Sequence, residues 1–306
     1  MSAAPPRWSP IPACPLASPF VDRALRSLLA LVVLGFASAG CESARRPVPR
    51  NPIAREAART QGHAIIERAC AAAGGLERWK AMRDVSFKID DQWRGTAARM
   101  LRPWPVERAN GPFEGLLGPP YGQVRINGKE GAVTYGVGVG GPWAMRGTRP
   151  TSEPGDLATA RSTVPVYLFQ FEFPFAFLAD DAVQHYMGVQ PAPPSGPVHE
   201  VLVTYPWYTG DRSHDWYVAR FDTATMRLRS VTYTSSLWGP GLFEYTDDLG
   251  GYVQVDSLWV PSRHVVRMSW PFRPDLHTWT VSDVHFNAGI GDSTFRGPAK
   301  LGGGGT

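Results

Sequence analysis

Apolar and polar positions along this chain change their period once, near Arg83. Before it, Ile65, Ile66, Ala69, Cys70 and Ala73 fall at i, i+1, i+4, i+5 and i+8, with Glu67 and Arg68 on the opposite face. That spacing predicts an amphipathic helix from about Ala54. Gly74-Gly75 should end it, since glycine takes the left-handed position after a helix at little steric cost. Leu76, Trp79 and Met82 predict a further helical turn. After Arg83 the period is two: Val85, Phe87 and Ile89 alternate with Ser86 and Lys88, the signature of a strand. Strand-like runs recur at 96–102, 122–126, 132–139, 198–205, 216–221, 227–234, 242–247, 251–258, 263–270 and 278–286. Asn127-Gly128, Asp222 to Thr225 and Asp248 to Gly251 read as hairpin turns. No strand–helix–strand rhythm is present, so the pattern predicts an antiparallel meander with helices on one face rather than a parallel sheet.

Two segments interrupt the meander. Residues 140–164, rich in Gly, Pro, Thr and Ser, read as a long loop. Residues 166–181 are the most hydrophobic stretch after the N-terminal region. In it Phe169, Phe171, Phe173, Phe175 and Phe177 alternate, yet Pro174 forbids a regular central strand. Two readings stay open: an aromatic plug that is part of the core, or a lid over an apolar cavity.

The N-terminal region carries an address. Arg23 and Arg26 precede the apolar run Leu28 to Phe36, and Ala37-Ser38-Ala39-Gly40 follow it. A basic start, a short apolar run and a small-residue exit make a secretory signal segment, too short to span a bilayer core of about 30 Å. Cys41 directly after Ala39-Gly40 resembles the bacterial lipobox, with Ser38 where that motif usually carries an aliphatic residue. It would then be the lipidated first residue; the alternative is ordinary cleavage that leaves a free thiol. The expected organisation is a removed signal segment (1–40), a lipidated tether (41–53), one domain (54–290) and a flexible tail (291–306).

Composition narrows the function classes. Eleven Trp and 11% aromatic residues suit half-buried sheet surfaces. The formal charge is only +4, and the signal segment carries part of it through Arg7, Arg23 and Arg26. No basic stripe remains, which excludes a nucleic-acid partner. Of Cys14, Cys41 and Cys70, only the last falls in the expected domain, so no internal disulfide is expected there. Cys70, on an apolar helix face, reads as a buried structural thiol.

Chemical motifs are sparse. Gly136-Val137-Gly138-Val139-Gly140-Gly141 matches the spacing of a dinucleotide fingerprint, but Pro142-Trp143 follows where a helix is required. Adjacent acids in Asp90-Asp91, Asp180-Asp181 and Asp247-Asp248 would point to opposite faces of a strand and read as turns and strand ends. His277 and His285 share one strand face, yet eight residues at about 3.3 Å each hold them too far apart to share an ion. His214, beside Asp211, Arg212 and Asp215, reads as a solvated turn. A Gly-x-Ser-x-Gly elbow is absent. The expectation is therefore no enzyme, no cofactor and no metal site.

Several stretches resemble the outer-membrane lipoprotein-sorting (LolA/LolB-like) superfamily, and more closely an uncharacterised lipoprotein branch of it. They are Ile65 to Cys70, Ala73-Gly74-Gly75-Leu76-Glu77-Arg78-Trp79 with Val85-Ser86-Phe87, the hairpin Tyr217 to Tyr233, and Tyr252 to Arg263 with its Val260-Pro261 step. The resemblance spans about residues 60 to 287. It implies a mainly β (α+β) fold: a strongly curved antiparallel sheet, or incomplete β-barrel, with an N-terminal helix and helices or a lid over the open face. It also implies an apolar cavity that shelters a lipid or a lipoprotein acyl chain. Trp93, Trp143, Phe171, Phe173, Phe175 and Phe177 are the residues expected to line it. The alternative is a scaffolding envelope lipoprotein with a filled core and protein partners. The expected location is the bacterial envelope, facing the periplasm. Glu42 stands where an Asp retains some lipoproteins on the inner membrane, which leans the location toward the outer membrane.

Overall fold

A computed structural model describes residues 51–118, 121–128, 131–192, 196–205, 216–234, 243–270 and 274–298. Helix α1 (Pro52–Ala72) begins under Asn51, whose side chain accepts from the backbone N–H of Ile53 and Ala54. Pro52 fits the first helical position because no intrahelical donor is needed there. α1 buries Gly62, Ile65, Ile66, Ala69 and Cys70, the face read from the spacing. Burial raises the Cys70 thiol to about 12. Gly74 and Gly75, both at positive φ, turn the chain into α2 (Leu76–Lys80).

A single open antiparallel sheet carries the rest. It comprises β1 (Asp84–Trp93), β2 (Arg108–Leu116), β3 (Gly122–Gly128), β4 (Gly131–Gly138), β5 (Gly141–Arg146), β6 (Arg149–Thr151), β7 (Val183–Gln190), β8 (Val198–Thr204), β9 (Tyr217–Asp222), β10 (Leu228–Thr234), β11 (Glu244–Gly250), β14 (Arg263–Trp270) and β15 (Asp275–Phe286). The strand order is β6-β5-β4-β3-β2-β1-β15-β14-β11-β10-β9-β8-β7, so β6 and β7 are edges and the sheet does not close. β15, the last strand, pairs with β1, the first, in the middle of the sheet. A small hairpin, β12 (Val253–Val255) and β13 (Leu258–Val260), packs against the end of α1, where Trp259 N–H donates to the Ala73 carbonyl at 2.8 Å.

A short helix, α3 (Thr96–Leu101), follows β1. Two longer helices cover the inner face from opposite ends. α1 lies on β7, and α4 (Pro154–Phe171) lies on β3, β4 and β5. A 3-10 turn, Phe175–Leu178, bridges toward α1. One continuous apolar cluster runs from Ile66 of α1 through Phe175 and Phe87 to Leu168 of α4. The mainly β fold expected from the sequence, a curved, unclosed sheet with helices on its inner face, is the fold observed.

Several local expectations are corrected. Residues 96–102 are not a strand: α3 is a helix, as the alanines of that run favour. The expected loop at 140–164 holds β5, β6 and the first turns of α4. Its prolines sit at positions that tolerate them, Pro150 on the edge strand β6 and Pro154 in the first turn of α4. The alternating phenylalanines at 169–177 lie on the end of a helix and a 3-10 turn, not on a strand face. β2 is a strand that the sequence pattern hides, because Gly111, Pro112 and Gly115 look like a loop. Gly111 is required there: a Cβ would lie 1.8 Å from the Arg125 carbonyl oxygen. β7 is likewise absent from the strands expected. Asn127 and Gly128 are not the turn: both belong to the β3–β4 ladder, paired with Ala132 and Gly131; residues 129–130 lie outside the described residues. Asp248 to Gly250 similarly remain in β11, paired with β14. Asp222 does make a hairpin turn, accepting from the backbone N–H of Ala224 and Thr225. Within the expected tail, Asp292–Phe295 forms a 3-10 turn with Phe295 buried.

The inner face as a candidate functional site

Alternation along β1 sends Asp90 and Asp91 to opposite sides of the sheet. Asp90 faces outward and pairs with the exposed Arg108, whose guanidinium holds its carboxyl below the usual range. Asp91 faces inward and is fully buried. Its Oδ2 accepts from Trp93 Nε1 and Trp104 Nε1, both at 2.6 Å, and from the Tyr167 hydroxyl. Its Oδ1 accepts from His277 Nδ1 at 2.7 Å. One carboxylate thus ties together β1, the segment after α3, helix α4 and β15. Burial, and then the adjacent Asp91, push the Tyr167 hydroxyl well above its usual range. His277 stacks on Trp93 with ring centres 4.0 Å apart.

A second buried acid–histidine pair stands two strands away. His264 Nδ1 meets Asp247 Oδ2 at 2.7 Å, and neither residue is exposed. The His264 ring stacks on Trp279 at 3.7 Å. Trp279 is the cross-strand partner of Asp91 on one side and of His264 on the other. Among the described residues His264 Nε2 has no hydrogen-bond partner, so no described nucleophile stands in the third position of a triad beside this pair.

The N-terminal end of α4 is fixed by Asp156. It accepts from Arg146 through both oxygens at 3.0 and 3.1 Å, from Thr151 at 3.2 Å and from Tyr135 at 3.4 Å. At the other end Gln170 donates to the Tyr233 hydroxyl at 3.0 Å. Just beyond, Glu172 is buried and accepts from the Gly118 backbone N–H. Burial raises its carboxyl to about 8 despite that bond.

The residues expected to line a cavity fall into two groups. Phe171, Phe173, Phe175, Phe177 and Trp93 are all buried on the inner side within one apolar cluster. Phe171 stacks on Phe87 at 4.8 Å, Phe175 on Trp79 at 4.5 Å, and Phe173 on Phe177 at 4.7 Å. Trp143 is elsewhere. It pairs with Gly136, whose neighbour Tyr135 points to α4, so Trp143 stands on the outer face. There its Nε1 donates to the Phe295 carbonyl at 3.1 Å. Cys41 and His214 lie outside the described residues.

A different set of rings is half-buried on the inner face. Phe169 meets Tyr217 at 5.3 Å, Tyr217 meets Tyr233 at 6.1 Å, and Tyr233 meets Tyr245 at 5.8 Å. Phe169, Tyr217 and Tyr233 are partly exposed and packed against the core. This row crosses β9, β10 and β11 and ends two residues from Asp247. Sequence reasoning misses it, and both acid–histidine pairs, because they become neighbours only through strand register. The available signals are Asp91-x-Trp93 and His277-x-Trp279, each a same-face pair on one strand.

Among the described residues no group of three or more His, Cys, Asp or Glu side chains could hold a metal ion. Nor is any described helix long and apolar enough to cross a membrane.

No family model matches the chain, and no curated protein matches it. Solved structures do. A DUF1329 family protein from Desulfovibrio piger is 10% identical, with a TM-score of 0.45 over 76% of this chain and 96% of that one. An outer membrane lipoprotein-sorting protein domain from Vibrio parahaemolyticus is 10% identical, with a TM-score of 0.41 over 78% and 97%. A LolA superfamily protein from Nitrosomonas europaea is 11% identical, with a TM-score of 0.46 over 76% and 96%. The likeness is one of fold.

Proposed function

We propose that this is a lipid-anchored envelope protein facing the periplasm that binds or carries an apolar ligand, a lipid or acyl chain, on the inner face of its sheet. The observation that carries this reading is the half-buried row Phe169, Tyr217 and Tyr233. Contiguous aromatic surface only partly buried against a packed core offers a docking strip for hydrocarbon, worth about 25 cal/mol per Å² removed from water. The buried phenylalanines of 171–177 form the floor behind it. Cys41 is the proposed anchor, so the partners are a membrane and a lipid, and the outer membrane is the proposed location.

The whole protein purified from membranes should release lipid into organic solvent and take up a fluorescent fatty acid after delipidation. Tyr217→Ser should weaken that uptake several-fold. Absence of both co-purified lipid and uptake overturns the reading. A Cys41→Ser variant should leave the membrane fraction, and persistent attachment would remove the anchor. One observation favours a second reading, a scaffolding lipoprotein: the ring-on-ring packing of Phe171, Phe173, Phe175 and Phe177 fills the space behind the strip. A stable protein partner in crosslinks from intact cells, with no lipid bound, supports that alternative.

A further inference from the structure

We infer that Tyr245, Asp247, His264 and Trp279 form a buried site for the hydroxyl head of a long-chain amphiphile. This rests on the apolar-ligand reading and adds what the ligand must carry at its polar end. The Tyr245 hydroxyl, Asp247 Oδ1, His264 Nε2 and Trp279 Nε1 are all buried and find no hydrogen-bond partner among the described residues. A buried polar atom left unpaired costs about 1–3 kcal/mol, and native proteins leave few of them. Three of them are joined by the 2.7 Å Asp247–His264 contact and the 3.7 Å His264–Trp279 stack, and Tyr245 stands two residues from Asp247 on the same face of β11; together they mark a place built to receive something polar.

The chemistry of the set selects the partner. Asp247 Oδ2 accepts from His264 Nδ1, which turns the other ring nitrogen, Nε2, away from the pair as an open valence. Asp247 Oδ1 accepts. Trp279 Nε1 can only donate, and the Tyr245 hydroxyl can donate. An open acceptor beside two donors complements a group that both gives and takes a hydrogen bond. A hydroxyl does both, while a carboxylate would confront Asp247. The location fits as well: Tyr245 is the buried end of the ring row whose other members are half-buried. A chain laid along Phe169, Tyr217 and Tyr233 would bring its polar end to Tyr245 and Asp247.

The test uses the whole protein, delipidated, with oleyl alcohol, 1-octadecene and oleate competing against a pyrene-labelled alkane. Oleyl alcohol should bind roughly three- to tenfold more tightly than 1-octadecene, which neither gives nor takes a hydrogen bond, for each hydrogen bond gained. Tyr245→Phe removes only an unpartnered hydroxyl, so folding should be unharmed. It should lower the alcohol preference several-fold and leave 1-octadecene binding unchanged. Trp279→Phe should do the same by deleting the N–H. Equal binding of alcohol and alkene, or a preference that neither variant moves, means that ordered water alone occupies the patch and overturns the inference. Tighter binding of oleate overturns it in favour of an acid. Failure of every ligand to displace the probe, with the probe itself unbound, removes the apolar-ligand reading together with this one.

Discussion

Asp91→Asn is the substitution with the largest expected effect on this fold. The carboxylate accepts four hydrogen bonds from buried or nearly buried groups, three of them on one oxygen. An asparagine keeps one carbonyl oxygen, and its amide nitrogen turns two N–H donors toward groups that also donate. At least two of Trp93, Trp104, Tyr167 and His277 must then lose their acceptor. At about 1–3 kcal/mol per buried unsatisfied group, with charge-assisted bonds at the upper end, the loss should reach about 3–5 kcal/mol. Domain stabilities are typically about 5–15 kcal/mol, so that is a large share. Guanidinium unfolding followed by tryptophan fluorescence measures it, and the near-UV signal of Trp93 and Trp104 reports locally. The control is one residue away. Asp90→Asn removes an ion pair to Arg108, whose side chain is 60% exposed, and should cost less than about 1 kcal/mol. An Asp91→Asn loss under about 1 kcal/mol, or an Asp90→Asn loss of equal size, would refute the claim that the inward carboxylate holds the helices to the sheet.

Two further perturbations test neighbouring parts of the structure. Glu172 holds its proton in the folded state up to about pH 8, whereas an unfolded glutamate releases it near pH 4.3. Its contribution is therefore fully present below about pH 4.3 and declines as pH rises to 8, by up to about 1.4 kcal/mol per pH unit; Glu172→Gln should flatten that decline in denaturant midpoints taken from pH 5 to 8, and an unchanged slope would sink the assignment. At Gly62 an added Cβ would lie 2.9 Å from Tyr186 N and 3.0 Å from Gln184 C, so Gly62→Ala should cost about 1–3 kcal/mol through overpacking. That loss would override a helix-propensity gain of about 1 kcal/mol, and a rise in the urea midpoint would show that α1 can lift off β7.

How much of the fold is legible in the sequence depends on the range of the contacts. The α1 stripe and the alternation of β1 are local patterns, and each gives the correct inner face. The fate of residues 140–181 is not local. Pro154, Pro165 and Pro174 look like breaks in isolation, yet α4 is anchored by Asp156 to Arg146, Thr151 and Tyr135 and by Tyr167 to Asp91. Those tertiary bonds hold a helix that propensity alone would not predict. The same reasoning explains why Trp143 does not join the partners expected for it: its glycine-rich surroundings look like a loop mouth. Gly136 and Gly297 are in fact the flat floor and cover that an indole needs on the outer face, since a Cβ at either would lie only 2.2 or 2.7 Å from the ring.

Adjacent-acid logic holds for Asp90-Asp91 in one respect, since the two carboxylates diverge. It fails in another, since divergence delivers one of them to the centre of the core. A strand interior that buries a carboxylate must supply donors from other elements, and this sheet does so by pairing its first strand with its last. Asp91 therefore finds His277 from a position 186 residues away. Asp247 and His264 meet by the same ladder logic but are left with open valences. The contrast between a saturated polar cluster and an unsaturated one, on the same face of the same sheet, separates the part of the interior that holds the fold together from the part proposed to take a ligand.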